Sequence, residues 1–197
     1  WLILTLLDIL TIPKRSYFYY KKGMIRYAAI RLLWYLFLIP GHRRRLITMG
    51  DVAWILMDLG HFREAGFLLA RPGDVSDAPA PFSSSLARYL LHQETQPHVP
   101  LVITEAALAQ GASARTWLVR GMALLKCGQP KSALRSLETS RKSAVTQGDY
   151  ILNGTCYFYL GIAWKELGQI NYAKDQLLKA EVLLEGIPLG RRAAAIM

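Results

Sequence analysis

The chain has 197 residues, 52% of them hydrophobic, with 24 Lys and Arg against 14 Asp and Glu and a formal charge of +10. That length allows one sizeable domain or a short helical array. The charge does not form the basic stripe of a nucleic-acid binder: residues 1–50 hold nine basic side chains against the single acid Asp8, and the remainder carry fifteen against thirteen.

The first residue is Trp1, so the chain is expected to start inside a longer product. Trp1–Ile12 is apolar apart from Asp8 and two threonines, and Pro13-Lys14-Arg15 closes it. Twelve residues fall short of the about 20 that span a bilayer. Two readings stand: the cytoplasmic end of a membrane helix with Lys14, Arg15, Lys21 and Lys22 as its positive-inside flank, or a buried first helix. Met24–Ile39 is a second apolar run, flanked by Lys21-Lys22 and Arg43-Arg44-Arg45. Arg26 and Arg31 lie about 140° apart on a helix of 3.6 residues per turn, so no single polar stripe holds both. Arg31 at mid-membrane would cost a few kcal/mol.

A spacing of glycine, alanine five residues on and leucine four further recurs at Gly23/Ala28/Leu32, Gly60/Ala65/Leu69, Gly128/Ala133/Leu137 and Gly168/Ala173/Leu177. It makes residues 13–39 a candidate divergent repeat, with Tyr19 as its aromatic, and 46–70 a second hairpin with helices near 46–59 and 62–70. Residues 71–85, with three prolines and a serine run, read as a linker that ends at a helix start near Ser83–Ser85. Residues 86–111 read as a degenerate hairpin turning through Thr95-Gln96-Pro97. Gly60 and Gly128 are 68 residues apart, twice a 34-residue period, which leaves room for one repeat between them. Residues 112–186 hold two clear repeats, and 187–197 begin a capping or further helix.

The last repeat is the sharpest. Tyr157, Leu160, Gly161 and Trp164 precede a turn at Gly168, and Ala173, Leu177 and Ala180 follow it. Gly168 suits the positive φ that ends a helix. This pattern resembles the tetratricopeptide repeat (TPR): clearly over 112–186, less so over 13–70, and in degenerate form over 83–111. The family's closing proline is replaced by Glu185, and Arg120 stands in place of a leucine. The resemblance implies an all-α fold, a right-handed array of antiparallel helical hairpins forming an α-solenoid behind the apolar, basic-flanked N-terminal region. In the register of that repeat Cys127 and Cys156 fall about 16 Å apart along the helix axes, at 1.5 Å per residue, too far for a disulfide. A reducing compartment fits them.

No His-Glu-x-x-His, Cys-x-x-Cys, glycine-rich phosphate loop or nucleophile elbow is present, and His42, His61, His92 and His98 lack ligand spacing. No catalytic, cofactor or metal site is expected, and the chain reads as a non-enzymatic protein-binding scaffold. In the family the first helix of each repeat lines a groove through its second, fifth, ninth, twelfth and thirteenth positions. Carried over, these are Thr155, Phe158, Ile162, Lys165 and Glu166; Arg115, Leu118, Met122, Leu125 and Lys126; and Ile47, Gly50, Trp54, Met57 and Asp58. The resulting protein-binding groove is Trp54, Leu118, Met122, Lys126, Phe158, Ile162 and Lys165. Ile162 and Met122 stand where a carboxylate clamp of this family would want asparagine, so that clamp is not expected. The groove suits an apolar or amphipathic segment of a protein partner; the alternative is that these side chains are buried against the chain's own helices. Residues 1–45 are expected to meet a membrane surface or bilayer, which places the protein membrane-associated on the cytoplasmic face, or else in the cytoplasm. The competing functions are a regulatory domain of a nucleic-acid-associated system and an accessory domain of a longer enzyme.

Overall fold

The structure, a computed structural model, describes residues 20, 25–38, 41–70, 78–93, 96–111 and 113–196. The apolar stretch 1–12, the aromatic Tyr19 and Gly23 of the first glycine spacing lie outside them. Among the described residues ten helices follow in order: α1 (Ile25–Leu38), α2 (His42–Asp58), α3 (Phe62–Leu69), α4 (Ala80–His92), α5 (His98–Gln110), α6 (Ala114–Lys126), α7 (Pro130–Thr146), α8 (Tyr150–Glu166), α9 (Ile170–Leu183) and α10 (Pro188–Ile196). No strand occurs among the described residues. Each helix packs on the next, and α2, α4, α6, α8 and α10 also touch one another in sequence. The result is the expected all-α, right-handed array of antiparallel hairpins.

The repeated glycines set the hairpin turns. Gly60, Gly128 and Gly168 have φ of 87°, 69° and 75°, a left-handed region that other residues enter only with strain. At each, the glycine N–H and the next N–H bond back into the ending helix. Gly128 N donates to Leu125 O at 2.8 Å and Gln129 N to Leu124 O at 2.9 Å, which satisfies carbonyls that a helix end leaves bare. The alanine and leucine of the spacing face the partner helix. Leu137 and Leu177 are buried, and a Cβ at Gly121 or Gly161 would come within 2.6 Å of Leu137 or 2.7 Å of Leu177. The small residue on the first helix and the leucine on the second are thus one interlocking contact.

The segment read as linker is helical from Ala80. Pro81 lies in the first turn of α4, where its missing N–H would have no partner anyway. The serine run is part of a buried helix crossing. Ser83, Ser84 and Ser85 are buried; Ser84 shares a 2.8 Å hydrogen bond with Thr116, and Ser85 donates to Gly50 O at 2.8 Å. A Cβ on Gly50 would come within 2.7 Å of the Phe82 backbone, so α2 and α4 meet there almost backbone to backbone.

Helix α1 has 14 residues, about 21 Å at 1.5 Å per residue, well short of the about 30 Å hydrocarbon core. No helix among the described residues is long and apolar enough to cross a membrane. Helix α1 buries Ala28, Leu32 and Tyr35 and leaves Arg26, Ile30, Leu33 and Trp34 exposed.

Candidate functional site

A pocket of about 680 Å³ opens on the face shared by the first helices of the hairpins. Helix α8 runs along it and offers one continuous face: Ile151, Thr155, Tyr159, Ile162 and Glu166, at steps of three and four residues. The facing helices give only their last turns. These are Met57 and Asp58 from α2, Arg88, Leu91 and His92 from α4, and Met122, Leu125 and Lys126 from α6. The start of α10 closes the remaining side with Ile187, Pro188, Leu189 and Arg192.

The pocket sorts the expected groove positions. Met122, Lys126 and Ile162 line it, as do Met57, Asp58, Leu125, Thr155 and Glu166. Trp54, Leu118 and Phe158 do not; they are 1%, 0% and 4% exposed and belong to the main hydrophobic core. These three are therefore buried against the chain's own helices, the alternative that the sequence left open. Motif position alone does not sort them: Trp54 and Ile162 share the ninth position and Arg115 and Thr155 the second, yet only Ile162 and Thr155 line the pocket. Lys165 is exposed outside the pocket, and its ammonium lies 3.4 Å from the Ile196 carbonyl at the end of α10, a favourable place for a cation. Gly50 and Arg115 are likewise taken up internally, Gly50 by the α4 crossing and Arg115 by Asp51 at 2.6 Å. Ile47 is half-buried and does not line the pocket.

A buried polar cluster borders the pocket, joining Trp54, Asp58 and Arg115 of the motif positions to Tyr20 and Arg88, which the motif did not mark. Asp58, 7% exposed, accepts from the Tyr20 hydroxyl and from Arg88 Nη2, both at 2.7 Å. Trp54 Nε1 donates to the Tyr20 hydroxyl at 3.2 Å. The guanidinium of Arg88 lies 4.4 Å from the Trp54 ring centroid and that of Arg115 lies 5.0 Å from it, so the indole faces two cations. Burial, reinforced by Asp58 and Asp149, holds the Tyr20 hydroxyl well above the ordinary tyrosine range. Tyr20 thus joins the N-terminal part of the chain to α2 and, through Asp58, to α4.

Tyr159 is a further residue the motif did not mark. Its ring packs edge-on against Phe158, 5.1 Å between centroids, so the buried phenylalanine supports the tyrosine that faces the pocket. Burial raises its pKa, while the nearby Arg88 and Arg192 pull it down.

Cys127 and Cys156 are both free. The Cys156 thiol donates to Ser140 at 3.2 Å and burial pushes its pKa up to about 12, the opposite of an activated thiolate. No group of His, Cys, Asp or Glu among the described residues is arranged to hold a metal.

Stacked helical hairpins with glycine turns and a pocket on their inner face define a helical-repeat fold of the tetratricopeptide type. No protein-family model and no curated protein matches the chain. Among solved structures it is similar to Bacillus thuringiensis PlcR in complex with the peptide PapR7 and DNA, with a TM-score of 0.65 at 11% identity over 96% of this chain and 74% of that one. It is also similar to a thermophilic TPR protein of Thermus thermophilus, with a TM-score of 0.61 at 17% identity over 95% of this chain and 97% of that one. At these identities the similarity is one of fold.

Proposed function

We propose that this chain is a non-enzymatic binding scaffold whose inner-face pocket holds an apolar or amphipathic segment of a protein partner. The observation that carries this reading is the pocket itself, a cavity of about 680 Å³ walled by Met122, Leu125, Ile151, Ile162 and Leu189 with polar groups at its edge. Apolar walls with a few placed polar groups are the usual make-up of a ligand site. The fold is one commonly used for protein–protein interaction, and the similar Bacillus protein was solved with a bound peptide.

Ile162 is the test position, because it lines the pocket and is only half-buried. Ile162→Glu places a charge among apolar walls and is expected to cut peptide capture at least about tenfold, the effect of about 1.4 kcal/mol. The melting temperature should stay within a few degrees of wild type. The measurement sets wild type and variant side by side against an immobilised library of apolar and amphipathic peptides. Equal capture by the two would remove the pocket from the account.

A second reading concerns the membrane surface, where Ile30, Leu33 and Trp34 form an exposed apolar face on α1 and Arg43, Arg44 and Arg45 stand exposed at the start of α2. Apolar side chains beside a basic cluster are what an anionic leaflet attracts. Replacing the three arginines with glutamine should weaken binding to phosphatidylserine-containing vesicles by about 3 kcal/mol, at about 1 kcal/mol per residue. Flotation with such vesicles reads this directly, and equal flotation of both forms would leave the arginines no role at a membrane.

A further inference from the structure

Helix α10 takes the place of a further first helix, packed on α9 and α8, but it is held thinly. It has nine residues and buries two of them, Gly190 and Ala193, where the 17-residue α8 buries nine. Hydrophobic stabilisation follows the apolar area removed from water, and these two side chains bring one methyl group between them. Leu189 and Ile196 add half-buried contacts with the core. Among the described side chains the one hydrogen bond to α10 comes from the exposed Lys165, 3.4 Å from the Ile196 carbonyl. The chain enters α10 just after Gly186, whose φ of 78° is a backbone state that glycine takes freely. Across the pocket α10 meets a distant part of the chain. A Cβ on Gly60, in the turn between α2 and α3, would lie 3.9 Å from Pro188 Cγ, so the start of α10 abuts that turn. Ile187, Pro188, Leu189 and Arg192 line the pocket on one side of this contact, Gly60 and Phe62 on the other. An element with so few buried contacts belongs to the part of a fold that opens locally.

We propose that α10 is a lid on the pocket: it swings out about Gly186, parting Pro188 from Gly60, admits the partner segment, and returns to cover it. This inference rests on the reading of the pocket as the binding site. An occupant touches Ile187 and Leu189 only while α10 is seated, so it favours the closed arrangement, the differential contact that any such shift requires. Entry and release both wait on opening. Gly190 fixes the seat. A Cβ there would collide with the Leu184 carbonyl oxygen just past α9 and come within 2.9 Å of the carbonyl carbon. Gly190→Ala therefore forces α10 away from α9 and alters no side chain that lines the pocket.

The test uses the full chain with Cys127→Ser and one reporter thiol, Met122→Cys, inside the pocket; the remaining Cys156 is buried. Labelling by a bulky maleimide reads opening with no ligand present. It is expected to be slow beside the same reaction at Leu178→Cys on the exposed side of α9. Gly190→Ala should speed it about tenfold, and the best-retained peptide of the library should slow it. In the same variant peptide association and dissociation should both become faster, because opening gates both. A substitution that merely damaged the pocket would speed dissociation alone, and that result overturns the lid. Pro188→Gly loosens the contact with Gly60, is expected to act in the same direction, and stands in if Gly190→Ala fails to fold. Labelling unchanged in a folded variant, or as fast in the starting protein as at Leu178→Cys, overturns the lid and leaves the pocket reading intact. Faster labelling with no peptide retained by any form supports the lid and overturns the partner-segment reading.

Discussion

Phe158→Ala is expected to destabilise the fold by about 3–5 kcal/mol, the range for removing a buried aromatic side chain. Phe158 is 4% exposed, sits in the main core and supports the Tyr159 ring. Its loss leaves a cavity between helices whose backbones are already fixed by Gly161 against Leu177 and by Gly121 against Leu137. Those interlocks limit how far the site can collapse, which places the cost toward the upper part of the range. Denaturant melts of wild type and variant measure it. A variant that melts like wild type yet fails to capture peptide would mean that the side chain stands in an open groove.

Asp58→Ala is the second large effect. It strips the carboxylate that both Tyr20 and Arg88 use and leaves a guanidinium that is nine-tenths buried without its counter-charge. Breaking a buried pair from one side costs about 3–5 kcal/mol. The double replacement Asp58→Leu with Arg88→Met removes both charges and should recover much of that loss, because an apolar substitute for a buried pair is often near neutral. A double variant as unstable as Asp58→Ala would show that the packing of Arg88 on Trp54, and not the ion pair, holds this corner.

The sequence showed the parts of this molecule that rest on local backbone chemistry. Gly60, Gly128 and Gly168 must reverse the chain, and a positive φ is legible because glycine is the residue that takes it freely. Gly161 and Leu177 were legible as places in the repeat pattern, and the structure shows their contact: a Cβ on Gly161 would come within 2.7 Å of Leu177. The helix start was read near Ser83–Ser85, and α4 begins three residues earlier, at Ala80, because a proline in a first turn costs nothing; the serines are buried on Thr116 and the Gly50 carbonyl.

The pocket was only half legible. Motif positions say which face of a helix looks inward, and Met122, Lys126 and Ile162 followed that rule. They do not say which of those positions a neighbouring helix covers, and that difference separates Ile162, which lines the pocket, from the buried Phe158. Arg88 escaped because its hairpin carries no recognisable register. The signal available was a lone cation within the apolar run around Leu86–Leu91, which as a buried charge had to find a partner. Tyr159 was hidden within the aromatic run Tyr157-Phe158-Tyr159, whose members point to three different sides of α8.

The most direct measurement places a photo-crosslinking side chain at Met122 inside the pocket and, in a second protein, at the exposed Leu178 on α9. Both proteins are irradiated with a pool of apolar and amphipathic peptides and the adducts are located by mass spectrometry. The account predicts peptide adducts from position 122 and none above background from position 178. Adducts from 178 alone, or equally from both, would contradict an inner-face binding site.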